Sequence, residues 1–349
     1  MNSSEDMQDI QAKRELGYMS STQRKHWLFP NPRAIKERRL ASFRLTIKEL
    51  QDEAGLDLSA YPIPSDAEYL SALDFYFKEI IEICRKFQFP AYVSCTAVTY
   101  FDRFFLNASA PFNLVNIDAM CMKDTAIYLA SKAEQSLLSS IAQLTSFTKT
   151  PSEQVIGNEL ILMDGISFHL KVWNPLRSLR SFLSDFKIVW KSENGNSLSP
   201  KIEKRLLSQA EALIQDSYIS DAAFIYSPSQ IALSCLLLVL SSPNLPNAAK
   251  KEIGLLQKMS IQYFNKRFAS NPNGQKLKET SKTIQAMIID GIERTNSEKF
   301  NKMASKGNAK IYKLSTLYFK FKNGQLPKTT KKRKITLTLP NKKRQKLSQ

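Results

Sequence analysis

The chain has 349 residues, 43% of them hydrophobic and 23% charged, a composition that suits one large or two medium globular cores. It carries a net charge of +18 with only two histidines, ten glycines and four cysteines. Those counts argue against a histidine-built metal or hydrolytic centre, glycine-rich phosphate loops and a disulfide scaffold.

The charge is not evenly spread. From Thr295 to Gln349 there are 16 Lys/Arg against one acid, Glu298, so this end holds +15 and everything before it only +3. The opening twenty residues are polar, without a signal-peptide pattern. The strongest apolar run, Ile231 to Leu240, is too short to span a bilayer and suits a buried helix. A soluble, intracellular chain is expected, with Cys84, Cys95, Cys121 and Cys235 buried and reduced.

In chain order, residues 1–22 read as disordered and 23–64 as a docking segment plus a helix. Gln23-Arg-Lys-His-Trp-Leu-Phe29 sets aromatics beside cations. Asn31-Pro32 then caps a helix with Leu40, Phe43, Ile47 and Leu50 on one stripe and Lys/Arg opposite. Further starts are marked by capping-box patterns at Ser65/Glu68, Thr150/Glu153 and Ser227/Gln230. Asn174-Pro175, Ser199-Pro200 and Asn271-Pro272 read as cap plus proline. The Ser-Pro and Thr-Pro pairs also fit proline-directed phosphorylation, but capping is the favoured reading.

Periodicity predicts helices near 66–88, 92–107, 117–133, 137–145 and 151–166, then near 175–191, 200–221, 228–241, 247–268 and 274–294. The fold class is therefore all-α, a duplicated unit of five helices, spanning 65–170 and 171–294, with a C-terminal helix and disordered basic tail over 295–349. In each block the third helix is the most apolar and the richest in small residues. In the first, Ala126 and Ala130 share a face, and the helix ends on Lys132 and Glu134. Lys132 is either a cation at a helix C-terminus or part of a docking site.

No Walker loop, GxGxxG, HExxH or GxSxG occurs, and lone carboxylates such as Asp74 and Glu79 read as solvated. Neither an enzyme nor a cofactor is expected.

Three stretches carry a resemblance. Ala97-Val-Thr-Tyr-Phe-Asp-Arg-Phe-Phe-Leu106, Leu129-Ala-Ser-Lys132 with Glu134, and Glu159-Leu-Ile-Leu-Met-Asp-Gly-Ile-Ser-Phe-His-Leu170 resemble helices two, three and five of a cyclin box. Within the cyclins, residues 23–29, 167–175 and Ser220-Asp-Ala-Ala-Phe-Ile-Tyr-Ser-Pro-Ser-Gln-Ile-Ala-Leu233 are similar to the cyclin H family. The resemblance covers roughly residues 20–295 and implies two cyclin boxes. It also implies a regulatory subunit that binds and activates the cyclin-dependent kinase of the CDK-activating complex. A RING-finger assembly factor, the TFIIH core and RNA polymerase II, as a substrate of the complex, complete the implied partners. Cell-cycle kinases are the other implied substrates. Carried over from the family, Lys132 and Glu159 form the kinase-facing pair.

The match is incomplete. Leu70 to Phe77 lacks the MRxIL recruitment stretch of cell-cycle cyclins, and Asp102 lacks the arginine expected beside it. Competing readings are a Mediator-type cyclin C and, in another class, a TFIIB-like DNA-binding protein. Lys331, Lys332, Arg333 and Lys334, with Lys342, Lys343 and Arg344, pattern as a nuclear import signal and imply a nuclear location. Direct nucleic-acid contact by the tail and simple solubility stay open as alternatives.

Overall fold

A computed structural model describes residues 17–52, 61–108, 112–136, 140–244 and 250–325. Among them there is no strand and no helix long and apolar enough to cross a membrane.

A short helix and a long one lead in: α1 (Thr22–His26) and α2 (Pro32–Asp52). The first repeat follows as α3 (Asp66–Lys86), α4 (Ala91–Leu106), α5 (Ala119–Ala133), α6 (Ile141–Thr148) and α7 (Ser152–Gly165). The second is α8 (Leu176–Asn194), α9 (Pro200–Ser217), α10 (Pro228–Ser241), α11 (Lys250–Phe264) and α12 (Gly274–Asn296). A long helix, α13 (Glu298–Lys322), closes the described chain.

Two of the expected capping boxes form. Ser65 accepts from the Glu68 N–H while the Glu68 carboxylate accepts from the Ser65 N–H at 2.8 Å, and Ser227 and Gln230 do the same at α10. The third does not. Helix α7 starts at Ser152, so its N-cap is Pro151, which has no side-chain acceptor; the Thr150 hydroxyl, one residue earlier, donates to Asp124 at 2.6 Å.

The third helix of each repeat is central, as expected. Helix α5 packs on α3, α4, α6 and α7, with Ala126 and Ala130 fully buried, and α10 packs on α8, α9, α11 and α12. Small side chains and continuous apolar surface allow four neighbours to approach one rod.

The described chain begins at Gly17, within the stretch expected to be disordered. Tyr18–Ser20 form a 3₁₀ turn, and the Tyr18 ring stands edge-on to Trp173 at 6.2 Å. The docking segment lies along the connection between the repeats. Gln23 pairs both ways with the Trp173 backbone (2.8 and 3.2 Å), and the Trp27 indole donates to His169 Nδ1 at 2.9 Å. The Phe29 N–H donates to the Phe224 carbonyl of the second repeat at 2.7 Å. One strap thus touches both repeats and the hinge between them.

Helix α13 lies along α3 through Phe300, Ala304, Gly307, Ile311 and Leu314. At Gly307 the backbones come so close that an added Cβ would sit 2.3 Å from the Glu68 carbonyl oxygen.

Candidate functional site

The candidate pair stands where α5 and α7 diverge from a shared contact. The Thr125 hydroxyl donates to the Val155 carbonyl at 3.0 Å and to its own helix at Cys121, tying the two backbones together. Two turns beyond Thr125 comes Lys132; one turn beyond Val155 comes Glu159. The side chains meet in an ion pair, with Lys132 40% exposed and Glu159 17% exposed. The ammonium also sits 4.9 Å from the centre of the Tyr128 ring, one turn back on α5.

Two exposed apolar side chains stand next to Glu159 along α7. Ile156 and Leu160 on α7 are exposed, Leu160 by 63%, although both are large aliphatic side chains on a helix that buries Val155 and Leu162. Glu134, the other charge at the end of α5, is turned inward and accepts from Thr96 at 2.6 Å.

The remaining candidates, Lys331 to Lys334 and Lys342 to Arg344, lie outside the described residues.

Several charged residues that matter to the site's framework escaped the sequence reading. Asp102, expected to lack its arginine, has one. Arg39 of α2 grips it with Nε at 2.9 Å and Nη2 at 2.5 Å, while Nη1 lies 2.7 Å from Asp221 of the second repeat. Burial disfavours the guanidinium charge, but Asp102 and Asp221 more than offset this and hold its pKa above the ordinary arginine value. Arg39 was assigned to the solvent side of α2; it falls instead at helical spacing between Ile35 and Phe43, both buried. Asp221 takes a left-handed backbone (φ 65°), tolerable for aspartate, and so points its carboxylate at Arg39.

Asp74 and Glu79, read as solvated, are both paired. Asp74 is buried against Arg294 of α12, and Glu79 accepts from Lys123 at 3.1 Å. Lys123 itself is 1% exposed, within α5. The Lys123-Asp124 doublet inside an apolar helix was the available signal for a buried polar cluster.

Among the described residues no group of His, Cys, Asp or Glu is arranged to hold a metal ion, and the four cysteines are buried and free.

Comparison with known proteins agrees with this architecture. The family model for the cyclin N-terminal domain matches residues 69–171, and that for the cyclin C-terminal domain matches 174–289. Cyclin-H of Xenopus laevis is 30% identical over 241 residues, which is 65% of this chain and 70% of that one. Two solved complexes contain chains of the same fold. One is the CAK complex from Chaetomium thermophilum bound to ATP-γ-S, with TM-score 0.63 and 20% identity over 91% of this chain and 98% of that one. The other is the yeast TFIIK (Kin28/Ccl1/Tfb3) complex, with TM-score 0.57 and 22% identity over 78% of this chain and 100% of that one. With two cyclin domains in tandem and a cyclin-H relative matched over two thirds of its length, the chain belongs to the cyclin H family.

Proposed function

We propose that this chain is the regulatory, non-catalytic subunit that binds and activates the cyclin-dependent kinase of a CDK-activating kinase complex. The observation that carries the reading is the Lys132–Glu159 pair, set among exposed aliphatics across α5 and α7. Membership of the cyclin H family and likeness to chains of the CAK and TFIIK complexes support it.

The pair suits the task physically. Each partner retains hydrogen-bonding capacity beyond the pair: two spare N–H donors on Lys132 and free lone pairs on Glu159. A kinase presenting backbone groups at the base of its αC helix finds both a donor and an acceptor there. Pressing that helix inward aligns its glutamate with the β3 lysine and completes the active site. Ile156 and Leu160 provide the apolar grip.

In the same reading the complex phosphorylates activation loops of other cyclin-dependent kinases and the C-terminal repeats of RNA polymerase II. A RING-finger assembly factor and the TFIIH core are its further partners. The tail clusters act in nuclear import. The chain divides functionally into docking segment and helix (23–64), first cyclin box (65–170), second cyclin box (171–294) and C-terminal extension (295–349).

Charge reversal tests the reading. Lys132→Glu and Glu159→Lys, made singly, are expected to weaken kinase association at least tenfold and lower kinase activity in step. The helical circular dichroism should stay unchanged, since a half-exposed pair contributes only about 0–1 kcal/mol to the fold. Undiminished association and activity in both variants would remove the pair from the interface.

A further inference from the structure

Helix α13 has a solvent face that neither its packing nor the kinase-facing surface uses. The candidate kinase pair stands on α5 and α7, whereas α13 lies against α3. Over residues 298–322 the helix carries seven lysines and one acid, Glu298. Lys310 is turned toward the core and held by Glu68 at 2.7 Å, and Lys322 pairs with Glu49. Lys302, Lys306, Lys313 and Lys320 are exposed and follow one another by 4, 7 and 7 residues, so they form a single row along the helix.

The row is only weakly neutralised. Lys302 pairs with Glu298 at a fully solvated position, the two side chains being 76% and 82% exposed, and Lys306 shares Glu68 with Lys310. The solvated Lys302–Glu298 pair exchanges readily for a stronger anion. Beside the row, about a quarter-turn round the helix, stand two uncovered aromatics, Tyr312 (75% exposed) and Phe319 (43%).

From Lys302 to Lys320 the row runs about 27 Å, the length of some eight base steps at ~3.4 Å each. Beyond Lys322 the sequence adds nine more Lys/Arg and no acid, continuing the same sign of charge from the end of the helix. A line of lysines flanked by exposed rings complements a strand of phosphates with accessible bases. We propose that the α13 lysine row is a binding face for the phosphate backbone of nucleic acid.

The test is fluorescence anisotropy on the full chain, with a fluorescein-labelled 20-base-pair DNA duplex and a 20-nucleotide single-stranded RNA, titrated from 50 to 200 mM KCl. Two variants separate helix from tail: K302Q/K313Q/K320Q, and a tail variant with Lys331, Lys332, Arg333, Lys334, Lys342, Lys343 and Arg344 changed to Gln. Lys306 is left in place to spare the Glu68 contact. Losing three phosphate contacts at ~0.9 each should flatten the slope of log K against log salt on the duplex by about 2–3. The same loss should appear when the helix changes are added to the tail variant. Stronger binding to the single strand, lost at least fivefold in Tyr312→Ala, would identify stacked bases as the target. Affinity and slope unchanged by the helix variant, with only the tail changes having effect, would reduce the row to a solvated face. Displacement of the duplex by poly-glutamate of equal charge at equal concentration would overturn the nucleic-acid assignment in favour of an acidic polypeptide.

Discussion

Arg39 and Asp102, 63 positions apart, close a bidentate ion pair at the junction of α2 with the first repeat, and the third guanidinium nitrogen turns to Asp221 of the second repeat. Three parts of the chain therefore depend on one buried cation. Removing a single member of such a set leaves an uncompensated charge out of reach of water, which typically destabilises by 3–5 kcal/mol. Arg39→Ala is expected to lose about that much in urea denaturation. The double variant R39M/D102L, which removes the pair and keeps apolar volume, should recover much of the loss, with Asp221 at the edge able to hydrate. A double variant no more stable than Arg39→Ala would mean that packing, not charge, is what Arg39 contributes.

That pair also marks where the sequence stops being legible. Helix starts were readable because a cap is a local signal: Ser65 with Glu68 and Ser227 with Gln230 lie three residues apart and act on their own backbone. Apolar periodicity likewise identified α5 and α10 as the central helices, since four-sided burial demands small and aliphatic residues on every face. Arg39–Asp102 has no local signal, because it exists only once α2 has docked. Thr150 misled for the opposite reason: its capping pattern is local, but the helix starts one residue later, behind Pro151, and the hydroxyl donates to Asp124, 26 positions away. Lys132 and Glu159 each stood out by chemistry or resemblance. What brings them together, the Thr125–Val155 tie between α5 and α7, is a property of packing alone.

Glu68 is a second junction. Its carboxylate completes the α3 capping box and receives Lys310 at 2.7 Å and Lys306 at 3.1 Å from α13. Burial alone would raise its pKa, but the bonds from Lys310, the Ser65 N–H and Lys306 prevail and bring it down to about 2. The folded-state value lies below the unfolded one. The stabilisation is therefore complete above pH 4.5 and disappears as pH falls toward 2. Glu68→Gln should cost about 1–3 kcal/mol at pH 7, the worth of hydrogen bonds to a charged group. The gap between wild type and variant should narrow in urea titrations taken from pH 5 down to pH 2.5. A gap independent of pH would place the effect in packing.

Two helical glycines should respond to alanine with opposite signs. Gly307 lies where α13 crosses α3, and a Cβ there would fall 2.3 Å from the Glu68 carbonyl oxygen, a backbone atom that cannot swing aside. Gly157, in α7, has nothing within 4 Å of the same added atom. Alanine is a better helix former than glycine by roughly 0.8–1 kcal/mol, so Gly157→Ala is expected to stabilise by up to that amount. Gly307→Ala should gain the same propensity and lose more to overpacking, for a net loss of about 1–2 kcal/mol. Thermal denaturation of the two variants decides it. An unchanged or raised Tm for Gly307→Ala would mean that α13 can ride up without losing its seat.

The strap over the hinge should be sensitive to acid. Trp27 donates its indole N–H to Nδ1 of His169, which can accept only while that nitrogen is unprotonated. The His26 ring is stacked on His169 at 5.1 Å, and the Arg103 guanidinium lies 5.3 Å from the Trp27 ring while donating to the His169 carbonyl at 2.6 Å. Burial, followed by the neighbouring His26 and Arg103 charges, lowers the His169 pKa below its ordinary 6.5. Since the unfolded chain takes up the proton first, the stabilisation is intact above pH 6.5 and is lost as pH falls through the lowered folded value. The wild type should therefore lose stability to urea between pH 7.5 and 5.5, and the Trp27 fluorescence should shift to longer wavelength as the ring meets water. His169→Gln keeps a polar acceptor at the ring edge but cannot titrate. It should remove the part of the profile that His169 contributes in this window. A wild-type profile that His169→Gln leaves unaltered would assign the acid response to another group and leave the Trp27–His169 bond a purely structural contact.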